Sequence, residues 1–197
     1  MSATELQKQR MTSYFIEAAK EILRGEGLKV ASARNIADKA GYSYATLYNY
    51  FEDLSTLIFE CVRDFQTELE ESIVPAIDSS NTAKDKIRGG ITAWVNYFVQ
   101  YPGIFELFFL ERIGEVGNRS DIADLIYNSI VPACSDGLEQ WVSEGRLSEE
   151  QAVGKLNTLR FQITGLMLYY SNRKNPADYS KLMQLLNRQI DQILDLK

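Results

Sequence analysis

Residues 40–51 read AGYSYATLYNYF, and on this stretch the fold assignment turns. Twelve residues hold four tyrosines and one asparagine, and run directly into Glu52 and Asp53. Gly41 supplies a turn and Ser43 a helix cap, so a short helix is predicted from Ser43 through Tyr50. Upstream, Ser32 can cap another short helix over Ala33–Lys39 that Gly41 ends. Two short helices joined by a glycine turn, with a helix on either side, form the helix-turn-helix arrangement. Ile36, Ala37 and Ala40 of the first helix face inward, with Leu47 and Phe51 of the second, four apart, sharing that core. Tyr44, Ala45, Thr46, Tyr48 and Asn49 are left pointing outward, with Tyr50 at the helix end. An exposed helix built only for solubility would carry Lys, Glu or Arg, whereas tyrosine, threonine and asparagine are mediocre helix formers. They can hydrogen-bond phosphate oxygens and base edges, and the small Ala45 would let the backbone approach the bases.

Charge agrees with a nucleic-acid partner at this end. The whole chain carries −6, but residues 1–50 hold seven cations against five acids, while residues 51–197 hold fourteen against twenty-two. Any phosphate contact is therefore expected within the first fifty residues.

The rest of the chain reads with the helical period. Tyr14, Phe15, Ala18, Ala19, Ile22 and Leu23 stripe a helix over Glu5–Arg24 that Gly25 and Gly27 stop. Asp53 or Ser55 caps a long helix with Leu57, Ile58, Cys61, Val62, Phe65, Leu69 and Ile73 on one face, ending near Pro75. Residues 78–82, DSSNT, read as a linker, and Thr82 with Asp85 as a capping box. A helix striped by Ile87, Ile91, Trp94, Val95 and Phe98 breaks at Tyr101-Pro102-Gly103. An apolar segment from Ile104 to Ile113 and the loop GEVGNRS follow, then a helix over Asp121–Glu144 kinked at Pro132. Ser148 with Gln151 caps a helix to about Asn172, and Asp178 starts the last one, to Leu196. No alternating run suggests a sheet, so the expectation is an all-α chain of nine helices, four before the linker and five after it.

Composition, 45% hydrophobic and 24% charged, is that of an ordinary globular protein. No apolar run reaches the length of a membrane span and MSATELQKQR is polar, which places the chain in the cytoplasm. With no histidine and only Cys61 and Cys134, a His-based triad, a zincin and most structural zinc sites are excluded, and no cofactor is implied. The cysteines read as small buried hydrophobes. Carboxylates sit at exposed helical positions and caps, so enzyme function is the weakest reading.

The run ASARNIADKAGYSYATLYNYFEDLSTLIFECV resembles the DNA-binding segment of the TetR family of bacterial transcriptional regulators. Ser32, Ile36, Ala37, Ala40, Gly41, Ser43, Leu47, Tyr48, Tyr50, Phe51 and Leu57 occupy the pattern's positions, and the match covers roughly residues 8–68. The resemblance implies a two-domain architecture, with a three-helix DNA-binding domain over 1–53, the helix-turn-helix at about 32–51, and an effector-binding and dimerisation domain over 54–197. It implies that Ser32, Arg34, Ser43, Tyr48 and Tyr50 hold phosphates, and that Tyr44, Ala45, Thr46 and Asn49 face bases or the groove floor. One position departs: family members usually carry a phosphate-gripping lysine where this chain has Leu54, beside Glu52 and Asp53. Modest affinity with a shallow salt dependence follows, or a substitute cation among Lys8, Arg10 and Lys29.

YPGIFELFFLE and GLEQWVSEGRL extend the resemblance loosely into the second domain. Apolar positions on the last two helices, Leu159, Ile163, Leu166, Leu182, Leu186, Ile190 and Ile193, together with Gly165 as a close crossing, are the expected homodimer interface. Trp94, Tyr97, Phe98, Phe105, Phe108, Phe109, Tyr127, Phe161 and Tyr169 are the candidates for an effector pocket. Its aromatic content and the region's negative charge favour an apolar, neutral or cationic effector. The implied function is a homodimeric repressor released from a palindromic operator by a small molecule, with ligand between helices four and seven moving helix four. The alternative is an all-helical carrier or sensor with a weakened DNA module.

Overall fold

The computed structural model describes residues 2–111, 120–172 and 175–195, and among them it contains ten helices and no strand. The predicted GEVGNRS loop and the end of the last helix at Leu196 lie outside the described residues, apart from Ser120. The chain divides into two packed units, Met1–Glu68 with Gln100–Asn128, and Leu69–Val99 with Ser129–Lys197.

In the first unit, α1 (Ala3–Gly25) opens on a capping box: the Ser2 amide donates to Glu5 Oε2 at 2.6 Å and the Glu5 amide to Ser2 Oγ at 3.2 Å. Its buried stripe is Phe15, Ala18, Ala19, Ile22 and Leu23, whereas Tyr14, assigned to that face from the sequence, stands 54% exposed. Against it pack α2 (Ala33–Ala40), the first part of α4 (Leu54–Asp78) and α6 (Pro102–Phe109), while α3 (Tyr44–Leu47) packs on α2. The fully buried Ile36, Ala37, Leu47, Leu57, Cys61 and Phe65, with the nearly buried Phe51 and Ile58, form the core that fixes these helices. Asp53 is the cap of α4, accepting from the Thr56 amide at 2.7 Å. A short helix, α7 (Ser120–Tyr127), completes the unit.

An ion cluster joins α1 to α4. Lys20, only 6% exposed, reaches Glu17 at 3.1 Å, Asp64 at 3.2 Å and Glu68 at 3.0 Å, and Arg24 also bonds Glu68. Burial works to lower the Lys20 pKa, but the hydrogen bonds to Glu68, Glu17 and Asp64 outweigh it and hold the pKa above its ordinary value. Burial likewise works to raise the Glu68 carboxyl, and Arg24 and Lys20 reverse that, holding it below its ordinary value.

The second unit contains the end of α4, α5 (Ala83–Gln100), α8 (Val131–Ser143), α9 (Glu149–Ser171) and α10 (Tyr179–Asp195). Helices α5 and α8 cross with almost no separation: a Cβ on Gly90 would lie 2.3 Å from the Ala133 carbonyl oxygen, and one on Gly137 2.4 Å from that of Ala83. Lys84 and Arg88 tie α5 to α10 through Asp191 at 3.0 and 2.6 Å, and Lys84 also meets Asp195 at 2.8 Å. The Ser148–Gln151 capping box is formed as expected. At Thr82 the hydroxyl accepts from the Asp85 amide at 3.1 Å, but the Asp85 carboxylate returns to that hydroxyl rather than to the backbone.

Two proline readings change. The helix expected to end near Pro75 runs on to Asp78, because a proline in the last turn costs one hydrogen bond without ending the pattern. Pro132 does not kink one helix; α7 stops at Tyr127 and α8 begins at Val131 with the proline in its first turn, where no amide is needed. This separation accounts for ten helices where nine were expected. Both cysteines are free and buried, and desolvation pushes the Cys134 thiol up to about 12. No helix among the described residues is long and apolar enough to cross a membrane.

Candidate nucleic-acid interface

The turn between α2 and α3 is set by Gly41, whose φ of +79° is a left-handed conformation that a side-chain-bearing residue adopts only with strain. Ser32 caps α2 by accepting from the Asn35 amide at 3.2 Å, and Ser43 caps α3 by accepting from the Thr46 amide at 3.1 Å. Regular α-helix in the second element ends at Leu47, not Tyr50. The chain then tightens into shorter turns, the Asn49 amide donating to Thr46 O at 3.1 Å and the Tyr50 amide to Leu47 O at 3.0 Å. Weak helix formers at Tyr48, Asn49 and Tyr50 make that outcome physically reasonable.

Most side chains sort as the sequence suggested, but Thr46, expected to point outward, and Ala40, expected to face inward, are both half-buried. Ser43, Tyr44, Ala45, Tyr48 and Asn49 are exposed, Thr46 and Tyr50 half-buried, and Leu47 and Phe51 buried. Ser32 and Arg34 are exposed at the start of α2. The nine residues singled out for DNA contact thus lie on two consecutive short helices and the turn that follows.

Three features go beyond the sequence reading. Tyr44 and Tyr48 are in edge contact, ring centroids 4.9 Å apart at 64°, and a hydrogen bond with Tyr44 raises the Tyr48 pKa. The Thr46 hydroxyl is engaged with Ser43 Oγ at 2.8 Å, so part of its hydrogen-bonding capacity is already used. Tyr42, assigned no role from the sequence, is exposed and lies stacked against Tyr14 at 6.3 Å and 25°. The clue in the sequence was the position of Tyr42 between a turn glycine and a cap serine, where its ring has little helix to pack beneath.

Electrostatics narrow the candidate cations. Lys20 and Arg24 are committed to the α1–α4 cluster, and Lys39 pairs with Glu21 at 2.8 Å. Of the first fifty residues, Lys8, Arg10, Lys29 and Arg34 make no ion pair among the described residues. Leu54 is half-buried and lines a cavity of about 260 Å³ with Leu28, Lys29, Ala31, Ser55, Ile58 and Glu111. Its side chain is thus employed in apolar packing, with the exposed Lys29 on the same groove.

The expected effector and dimer residues divide between core and surface. Trp94, Tyr97, Phe98, Phe105 and Phe108 are buried and Phe109 half-buried, while Tyr127, Phe161 and Tyr169 are exposed. Leu159, Ile163, Leu182, Leu186, Ile190 and Ile193 are buried within their own chain, where a second copy cannot reach them. Gly165 and Leu166 are half-buried, and a Cβ on Gly165 would meet nothing within 4 Å, so no helix of this chain crosses there. Apolar positions repeating at helical spacing mark a buried face, but not whether that face is covered by the same chain or another.

Residues 15–61 match the family model described as bacterial regulatory proteins, tetR family. Among solved structures, the chain superposes on a tetR-family transcription regulator from Shewanella sp. PV-4 with a TM-score of 0.69 at 16% identity, covering 91% of this chain and 95% of that one. A TetR-family regulator from Marinobacter aquaeolei VT8 gives 0.66 at 18% identity, with coverages of 95% and 97%. The transcriptional regulator FadR from Bacillus subtilis, solved in complex with stearoyl-CoA, gives 0.65 at 18% identity, with coverages of 92% and 96%. A search of curated proteins finds no match.

Proposed function

We infer that this chain, which carries the N-terminal domain of the tetR family at residues 15–61 on a TetR-like fold, is a sequence-specific DNA-binding transcriptional regulator. The observation that carries the reading is the face formed by Ser43, Tyr44, Ala45, Tyr48 and Asn49, exposed together over a buried Leu47 and Phe51. Neutral hydrogen-bonding groups around a small alanine suit the floor and edges of a major groove, while Ser32, Arg34 and Tyr50 suit flanking phosphates.

The active species is a homodimer on a palindromic operator, with recognition segments about 34 Å apart. The surface of α9 supports this reading: Phe161 and Tyr169 are exposed apolar side chains on the helix face of Gly154 and Gly165, and the space beside those glycines is open to a crossing helix from a second copy. This face, rather than the buried leucines and isoleucines of α9 and α10, is where dimer contacts belong. Repression is relieved by an effector with different affinities for the two spacings of the recognition segments, since equal affinity would shift nothing. An apolar effector, neutral or cationic, fits the aromatic content and negative charge of the region; the stearoyl-CoA of the Bacillus subtilis FadR structure shares the apolar chain but adds phosphates that this charge disfavours, so a fatty acyl chain with an uncharged head is the class to try first.

The test is selection from a random-sequence duplex library by the purified protein. Enrichment of one twofold-symmetric site supports the regulator. Failure to enrich any sequence, with retained binding of an apolar ligand, would replace it with the carrier reading.

A further inference from the structure

We propose that Tyr14 and Tyr42 form a further DNA-backbone contact, at the entry to the recognition segment. The proposal rests on the DNA-binding reading and extends it to two residues outside the expected contact set.

Phe15 is the hub of the argument. It is fully buried, and three rings from the recognition segment and its approaches rest on it: Tyr42 at 5.6 Å, Tyr50 at 6.0 Å and Phe51 at 6.4 Å. Tyr42 immediately precedes the cap residue Ser43, and Tyr50 closes the turn after α3, so the two tyrosines bracket the segment in sequence while sharing one anchor. A helix lying in a major groove has a sugar-phosphate strand on each side, and phenol hydroxyls are good donors to phosphate oxygens. The entry to the segment thus carries an exposed phenol at Tyr42, as its exit carries Tyr50.

Tyr14 extends the Tyr42 side. Its ring stacks on Tyr42, and at 54% and 36% exposure both rings present surface to solvent. Neither hydroxyl has a hydrogen-bond partner among the described residues. Covering Phe15 would explain one apolar ring, but it explains neither the second, outer ring nor a phenol where phenylalanine would cover equally well. Two adjacent free donors, braced by stacking, suit an anionic oxygen on a surface whose nearby Lys39 is already paired with Glu21.

The experiment uses the full-length protein and a fluorescein-labelled duplex carrying the palindrome that the wild type selects. Tyr14→Phe, Tyr42→Phe and the double variant keep the rings and remove only the hydroxyls. The double variant is expected to weaken binding by about tenfold, and by the same factor on a scrambled duplex, because a phosphate contact carries no sequence information. As a second readout, duplex should shield Tyr14 and Tyr42 of the wild type from nitration by tetranitromethane. Affinity of the double variant within about twofold of wild type, or equal nitration with and without duplex, would overturn the proposal while leaving the regulator reading intact. A wild type that selects no duplex would overturn both.

Discussion

Replacing Lys20 with methionine is the most informative perturbation of the first unit. Methionine keeps an unbranched stem beside Phe65, whose ring lies 6.0 Å from the ammonium, and removes only the charge shared by Glu17, Asp64 and Glu68. At this range an ion pair in a partly protein-like dielectric is worth up to about 4 kcal/mol before desolvation is subtracted. The three acids are 57%, 44% and 29% exposed, so solvent screens much of that interaction. Arg24 remains beside Glu68 as a partial replacement. The net destabilisation should be about 2 kcal/mol at pH 7, read as a lower urea midpoint by far-ultraviolet circular dichroism. The pH dependence has a definite sign. Glu68 is held below its ordinary 4.5, so its contribution is present above that value and is lost as the pH falls through the lower folded-state value. Removing Lys20 weakens that depression, and the gap between wild type and variant should therefore narrow as the pH falls below 4.5. Equal midpoints at pH 7, or a gap unchanged at about pH 3, would refute the reasoning.

Because the Tyr44 and Tyr48 rings touch, their contributions to DNA affinity should not add: a double-mutant cycle with Tyr44→Ala and Tyr48→Ala should give a coupling of about 1 kcal/mol by fluorescence anisotropy, and additivity would show that they act separately. Lys29→Ala should weaken DNA binding and reduce the slope of log affinity against log salt by about 0.9 for each phosphate it neutralises, whereas an unchanged slope would remove Lys29 as the substitute for a cation at Leu54. Gly137→Ala forces a Cβ to within 2.4 Å of the Ala83 oxygen and should lower the thermal midpoint through separation of α5 from α8 by roughly 2 kcal/mol of strain; the matched change Gly165→Ala, into open space within the chain, should leave monomer packing untouched but weaken self-association by sedimentation.

The all-helical class and most boundaries were legible in the sequence because caps and periodicity are local. Ser32, Ser43 and Ser148 needed only a neighbour three residues on, and Leu47 and Phe51 needed only their own spacing. Proline was read less well, since whether Pro75 or Pro132 ends, breaks or begins a helix depends on which carbonyls find other partners. Tyr14 illustrates the same limit: its spacing fits the buried stripe, but its place on that stripe's edge is taken by the ring of Tyr42, brought from 28 positions away. The α9 and α10 residues show it most clearly. Their pattern announced burial correctly, while only the packing of the folded chain shows that Leu159, Ile163, Leu182 and Ile190 are already covered, leaving Val153, Phe161 and Tyr169 outside.

The central claim is that the exposed face of the recognition segment reads DNA sequence, and the most direct measurement is the affinity of one protein pair for one duplex. The wild type and a Tyr48→Ala plus Asn49→Ala variant would be titrated against the palindrome selected by the wild type and against a scrambled duplex. Both substitutions fall on exposed side chains, so the variant should keep its helical content and thermal midpoint. The account predicts at least about a hundredfold loss on the palindrome with a much smaller loss on the scrambled duplex. Retention of the palindrome at wild-type affinity by a folded variant would contradict it.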